Sequence, residues 1–408
     1  MDPRQIVPLL RSGLRRAALS GLTVACGIVA ISTAVWAQAQ PFQSTAPFAV
    51  LLDSDTGAVL YEKAADDLMV PASMAKLMTL EVLFNEMAQG RVRPDDEFVI
   101  SESAWRRGGG VSGGSTMFAV LNSRVKVSDL ILGMTVQSGN DASIAVAEAI
   151  AGSEGAFATR MTARARELGL RKSTFTNATG MGDPDQKVTA RELAQLANHI
   201  VRTYPELYKT FGQREFTWNK IRQQNRNPLL TMDIGADGLK TGNINESGFG
   251  LVGSAVQNGQ RLIVVVNGLK TGKDRADEAR RLLTWGFRSF ESREIFPAGT
   301  AIADAKVFGG EPGSVNLVAK GPVRVLVPRG SSERLVARVV YRGPLRPPVA
   351  AGQAIGRLRV TRGDTQVLDL PLFAETDAQA GPLTRRALDA ATELFVGLFR
   401  STFQKSGT

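Results

Sequence analysis

The sequence predicts an α+β domain over residues 45–290 and a small all-β domain over 291–376. A signal peptide over 1–39 and an amphipathic helix over 383–404 flank them. Three observations carry this reading. Between about Pro71 and Tyr204 apolar residues recur at helical spacing, and strand-like runs bracket that block on both sides. Near Glu291 the composition shifts to short β-like runs such as "VNLVAK", "VRVLVP", "RLVARVVY" and "AIGRLRV", separated by Gly and Pro turns. Beyond the stretch "ETDAQAGP", which reads as a linker, Leu388, Ala391, Leu394, Phe395, Leu398, Phe399 and Phe403 fall on one helical face. The 408 residues suffice for two cores, and 43% apolar with 22% charged residues is an ordinary globular balance.

The leader carries Arg4, Arg11, Arg15 and Arg16 ahead of the apolar run "AALSGLTVACGIVAISTAVW". Ala37-Gln38-Ala39 supplies small residues for cleavage, which favours a signal over an uncleaved anchor, although the run is long enough to span. "FAVLLDSDTGAVLYEKAAD" reads as two strands around an Asp-Thr-Gly turn. "PASMAKLMTLEVLFNEMAQG" is a helix opened by Pro71 and closed by Gly90. "WRRGGGVSGGSTMF" is a glycine-rich loop without the Gly-Lys-Ser/Thr ending of a phosphate loop. Helices follow near 127–137, 142–150 and in "EGAFATRMTARARELGL". "GFGLVGSAV" and "RLIVVVNG" are strands joined by Asn258-Gly259-Gln260, and "DRADEARRLLTWGFRSF" is a closing helix. The terminal amphipathic segment has Arg385, Arg386, Arg400 and Lys405 beside its apolar face, the pattern of a membrane-surface helix; packing on the β-domain is the alternative.

The net charge is +10, of which the leader's four Arg and one Asp account for +3. That excess suits an anionic lipid or cell-wall polymer. The basic residues are scattered and aromatics make up only 6%, so no nucleic-acid footprint is present. The only cysteine, Cys26, lies in the leader, which leaves no thiol nucleophile and no disulfide for residues 40–408. The single histidine, His199, sits in the helical stretch "TARELAQLANHIVRTY", where a structural role is expected. A Ser-His-Asp triad would depend wholly on it, and no metal or cofactor is expected.

A serine with a lysine base remains. In Ser-x-x-Lys at a helix start, residues three apart share a face, so the amine reaches the hydroxyl. Two such strings exist. Ser73-Met-Ala-Lys76 opens a periodic helix, whereas Ser123-Arg-Val-Lys126 lies in a polar turn, so Ser73 is the candidate. Ser138-Gly139-Asn140 falls between two helical runs and by itself reads as an ordinary turn. "GLKTG" occurs at 238–242 and again at 268–272. The first copy leads into the hairpin, where Lys240 can face a serine site, Thr241 can bind a carboxylate, and Gly242 lets a substrate backbone approach. The second copy is a strand-to-helix turn with unrelated flanks. Each string is weak alone, but the ordered triple is strong.

With "PASMAKLMT", "VQSGNDASIAVAE", "FTWNKIRQQNRNPLL", "DGLKTGN" and "LLTWGF", the sequence resembles the penicillin-binding low-molecular-mass D-alanyl-D-alanine carboxypeptidases from about Phe48 to Phe290, and more loosely beyond. The resemblance implies a serine β-lactamase/transpeptidase-like domain, an antiparallel sheet with helices on both sides. It implies that Ser73 attacks the peptide bond between two D-alanines of a peptidoglycan pentapeptide, with Lys76 as base. Ser138 would relay the proton to the leaving amine, Asn140 would position substrate and lysine, and Lys240 would serve catalysis and binding. The N–H groups of Ser73 and Asn243 would form the oxyanion hole, while Thr241 and an arginine would hold the terminal carboxylate. The family's position for that arginine corresponds to Arg275, three residues past the second "GLKTG"; Arg226 resembles a further site residue. β-Lactam antibiotics would be covalent inhibitors at Ser73. Asn243 departs from the family's usual histidine or threonine, and the glycine loop 108–114 is richer in glycine than expected.

The same motifs also serve endopeptidases, transpeptidases and β-lactamases, or a catalytically silent penicillin-binding scaffold. A β-lactamase of the Ser-Asp-Asn class needs a Glu-x-x-Leu-Asn stretch; the nearest string, "ELAQLAN", has the wrong spacing.

Overall fold

The structure is a computed structural model describing residues 42–387. The signal expected over 1–39 and most of the helix expected over 383–404 lie outside those residues; 383–387 are helical. The chain divides into two compact units near residue 291.

The larger unit is built on a five-stranded antiparallel sheet of order β2-β1-β9-β8-β7. Its strands are β1 (Phe48–Asp53), β2 (Val59–Lys63), β7 (Ala236–Ile244), β8 (Gly248–Gln257) and β9 (Gln260–Leu269). Between β2 and β7 the chain forms α1 (Lys76–Ala88), α2 (Glu102–Gly108), α3 (Val127–Thr135), α4 (Asn140–Ala151), α5 (Glu154–Glu167), α6 (Ala190–Thr203) and α7 (Pro205–Tyr208). Two small ribbons, β3 (Glu97–Val99) with β4 (Arg124–Lys126) and β5 (Glu215–Trp218) with β6 (Ile221–Gln224), complete that insertion. After β9, α8 (Gly272–Ser289) closes the unit.

Period-two alternation sorts the sheet's side chains onto two cores. Ala49 and Leu51 of β1, with Val264 and Val266 of β9, meet Ala279, Leu282, Leu283 and Phe287 of α8. Val50 and Leu52, with Ile263 and Val265, face the other core, which holds α1 and the remaining long helices. Both faces are covered, so "LIVVV" reads as an unbroken apolar run. Helix α1 lies inside this second core: every residue from Lys76 to Phe84 is buried. A helix buried all round needs no polar face, which explains its Leu- and Met-rich composition.

Two local readings change. The glycine-rich loop predicted from Trp105 begins instead inside α2, because Ser101 Oγ accepts from Ala104 N at 3.0 Å and caps a short helix. The stretch 375–382, read as a linker, contains β18 (Gln379–Ala380), which pairs with β12 (Gly310–Glu311). Two backbone pairs suffice to fix a segment that polar composition presented as loose.

The smaller unit is all-β. A sheet of order β11-β13-β17-β16-β15 uses β11 (Ala303–Lys306), β13 (Ser314–Val318), β15 (Leu335–Tyr341), β16 (Ala354–Arg362) and β17 (Thr365–Ala374). β10 (Phe290–Phe296) pairs with β14 (Val323–Pro328). Val315, Leu317, Val325, Val339, Leu358, Val360 and Leu372 belong to its core, and in β13 and β16 they alternate with exposed Asn316, Arg357 and Arg359.

Candidate active site

Residues 72–75 form one 3₁₀ turn that runs directly into α1, so Ser73 lies one turn ahead of Lys76. Ala72 is held at φ +47 and Ser138 at φ +65, a left-handed conformation that costs a non-glycine residue about 1–3 kcal/mol. Two neighbouring backbones over-determine the first of these. A Cβ on Gly242 would stand 2.7 Å from the Pro71 carbonyl oxygen, and one on Gly180 would stand 1.9 Å from that of Ala72. Gly242 also lets β7 lie against the turn that carries Ser73, which brings Lys240 and Thr241 beside the serine.

The Lys76 amine contacts three oxygens: Ser73 Oγ at 3.0 Å, Asn140 Oδ1 at 2.7 Å and the Thr179 carbonyl at 2.5 Å. It is wholly buried. Burial, reinforced by the Arg226 guanidinium, lowers its pKa to about 7 against the opposing carboxylates of Asp141 and Glu154. Lys240 is also buried, and its amine donates to its neighbour's carbonyl, Thr241 O, at 3.1 Å. Burial first, then Lys76, Arg226 and Arg275, hold its pKa well below the ordinary lysine value. The influence between the lysines runs one way: Lys76 disfavours the charge on Lys240, whereas the cation that disfavours the charge on Lys76 is Arg226.

In front of these amines lies a cleft of about 350 Å³ lined by Ser73, Ser115, Ser138, Arg226, Thr241, Gly242, Asn243, Phe249 and Arg275. Ser138 Oγ and Arg275 Nε are buried with no hydrogen-bond partner, groups left for a ligand to satisfy. The Arg275 guanidinium stands 5.7 Å from the centre of the Phe249 ring. Asn140 opens α4, and its neighbour Asp141 accepts from Thr116 Oγ1 at 2.7 Å, Met117 N at 3.0 Å and Ala119 N at 3.1 Å. That carboxylate pins the end of the glycine-rich loop beside Ser138.

The profile of the D-alanyl-D-alanine carboxypeptidase peptidase family matches residues 34–271. The chain belongs to the D-alanyl-D-alanine carboxypeptidase family. The profile described as the C-terminal domain of penicillin-binding protein 5 matches residues 290–380. Among curated carboxypeptidases of this name, DacA of Haemophilus influenzae is 40% identical over 321 residues, 78% of this chain and 81% of its own. DacC of Escherichia coli is 36% identical over 357 residues, covering 87% and 89%. The crystal structure of penicillin binding protein 5 from Haemophilus influenzae superposes with a TM-score of 0.75 at 38% identity, covering 83% of this chain and 99% of that one.

In this carboxypeptidase the look-alike motifs serve other ends. Ser123 Oγ donates to Val120 O at 2.6 Å, and Lys126 pairs in solvent with Asp95 at 2.9 Å. Lys270 is exposed, while Thr271 Oγ1 accepts from Asp274 N at 3.0 Å and caps the helix that carries Arg275. His199 stands 3.3 Å from the buried Glu81, in a cluster with Arg164 and Tyr204. Sequence reasoning missed Ser115, Phe249 and the segment 177–180. The last had a signal in "NATG": Asn177 Oδ1 accepts from Thr179 N at 3.1 Å and Gly180 N at 2.7 Å, an Asx turn that presents the Thr179 carbonyl to Lys76.

Proposed function

We propose that this serine-type D-Ala-D-Ala carboxypeptidase removes the terminal D-alanine of peptidoglycan pentapeptide stems through an acyl intermediate on Ser73. The contact between Ser73 Oγ and a buried lysine with a pKa of about 7 carries the reading. A neutral Lys76 takes the hydroxyl proton as Ser73 Oγ bonds to the carbonyl carbon. The N–H groups of Ser73 and Asn243 receive the oxyanion. Thr241 and Arg275 hold the substrate carboxylate, and Arg226 adds positive charge at the rim. Collapse breaks the peptide C–N bond, the proton taken by Lys76 passes through Ser138 to the departing amine with Lys240 behind it, and water then releases the shortened stem. Penicillin is attacked at its lactam carbonyl in the same way. Its amine stays tethered to the acyl group, so the adduct persists.

Against a β-lactamase of the Ser-Asp-Asn class, Glu192 of "ELAQLAN" already accepts from Lys172 N at 2.8 Å and from Ser173 N at 2.7 Å. It serves as a structural clamp. The test is free D-alanine released from a D-Ala-D-Ala-ending pentapeptide. Wild type should release it and Ser73→Ala should not; equal release by both would refute the reading.

Export by residues 1–39 and attachment to the outer face of the cytoplasmic membrane by 383–404 complete the proposal. The one-sided apolar pattern with flanking arginines supports attachment. Truncation after Ala380 should move the protein from the membrane to the soluble fraction; retention on the membrane would refute attachment through this helix.

A further inference from the structure

The Lys76 amine can act as a base only if its lone pair faces Ser73. A neutral amine has two N–H donors and one lone pair. Two fixed acceptors, Asn140 Oδ1 at 2.7 Å and Thr179 O at 2.5 Å, take both donors and leave the lone pair for Ser73 Oγ. The aim of the base therefore depends on where the Thr179 carbonyl is held.

The residue preceding that carbonyl, Ala178, is held through both of its backbone polar groups. Thr79, one turn along α1 from Lys76, donates its hydroxyl to Ala178 O at 2.7 Å. At the residue's other backbone group, Glu154 Oε1 accepts from Ala178 N at 3.1 Å. The other oxygen of Glu154 pairs with Arg107 at 2.8 Å, and this carboxylate is only 11% exposed. Arg107 is in the last turn of α2, directly ahead of the glycine-rich loop that leads to Ser115. Glu154 itself is fixed in the first turn of α5, behind the Ser153 cap. One largely covered carboxylate thus braces the segment that aims the base and ties it to the helix leading into one wall of the cleft.

We propose that Glu154 is a positioning residue for acylation: it fixes the 178–179 segment so that Thr179 O holds the Lys76 amine with its lone pair on Ser73. The inference rests on Lys76 being the base. Glu154 does not line the cleft at Ser73 and makes no hydrogen bond to Ser73, so its loss should slow the chemical step and leave substrate binding intact. Its charge also reaches Lys76, which faces Asp141 on α4, Glu154 on α5, Arg226 ahead of β7 and Lys240 on β7. The two carboxylates favour the ammonium and Arg226 disfavours it.

The experiment measures acylation of the full chain by a fluorescent penicillin, separating the initial dissociation constant from the acylation rate constant from acid to alkaline pH. Glu154→Ala should lower the rate constant about 10- to 100-fold, as expected for a base misplaced by up to about 1 Å, with the dissociation constant within about twofold. Glu154→Gln keeps an acceptor for Ala178 N and should retain the rate within about threefold, with the acid limb moved to lower pH because a charge favouring the ammonium is gone. A wild-type rate constant in Glu154→Ala, or a loss confined to the dissociation constant, would overturn the proposal. So would an unmoved acid limb in Glu154→Gln, which decides the matter if Glu154→Ala does not fold. Lys76→Ala is measured alongside: full acylation there would sink the base assignment itself, a failure distinct from that of Glu154.

Discussion

Replacing Gly180 by alanine tests how tightly the turn that carries Ser73 is held. Gly180 has φ +82, and its added Cβ would lie 1.9 Å from Ala72 O and 3.0 Å from Ser73 N. An ordinary carbon–oxygen contact is about 3.5 Å, so the two backbones must separate by roughly 1.5 Å. The obstacle is main chain, which no rotamer change can clear. The left-handed conformation costs an alanine about 1–2 kcal/mol and the overpacking about 1–3 kcal/mol more, so stability should fall by at least about 2 kcal/mol. Because the strain falls on the residue before Ser73 and the one after Thr179, kcat/KM for D-alanine release should drop about 100-fold or more. Gly182, two residues on, serves as the control, because a Cβ added there would meet no heavy atom within 4 Å. Gly182→Ala should stay within about twofold, as a surface change with no lost contact. Thermal unfolding and D-alanine release on both variants decide it. A Gly180→Ala enzyme within threefold of wild type would refute the claim that this loop fixes the serine.

Other outcomes follow from the same geometry. The acylation rate should rise with pH through an apparent pKa of about 7, because only neutral Lys76 accepts the proton; a rate flat from acid to neutral pH would contradict this. Lys240→Ala should abolish D-alanine release, whereas exposed Lys270→Ala should keep most of it, measured side by side. Glu81→Ala removes the buried partner of Arg164 and Tyr204, although Arg164 keeps Glu167, and should cost about 1–3 kcal/mol in denaturant unfolding. Burial pushes the Glu81 carboxyl up, but His199 and Arg164 outweigh it and hold the group below its usual 4.5. Its contribution is therefore complete above that value and fades as pH falls through the folded-state pKa, so the stability difference between wild type and Glu81→Gln should shrink as pH is taken progressively below 4.5.

Much of this site was legible because its chemistry is local in sequence. Ser73 and Lys76 are one turn apart, Ser138 and Asn140 flank one glycine, and Lys240, Thr241, Gly242 and Asn243 are consecutive on one strand. The strands of the hairpin were legible from their apolar runs and from Asn258-Gly259, both at positive φ as a tight hairpin requires. What escaped was contact between distant segments. Thr179 acts through a carbonyl, which every residue possesses, so its identity carries no signal. Gly180 and Gly242 matter for the backbone each abuts, and only the folded chain shows which backbone that is. Helix α2 escaped because seven residues ending in glycine give too little periodicity to separate helix from loop. Arg226 was legible only through family resemblance, since nothing in "NRNPLL" sets it apart from any surface arginine until it is placed beside Lys76.

The central claim is that Ser73 is the nucleophile aimed by Lys76. It is tested most directly by treating the protein with penicillin, measuring the intact mass, and mapping the adduct by peptide sequencing. The account predicts a gain of one whole penicillin, carried on the peptide containing Ser73 and absent from Ser73→Ala. An adduct on Ser138 or Ser115, or an undiminished adduct in Ser73→Ala, would contradict it.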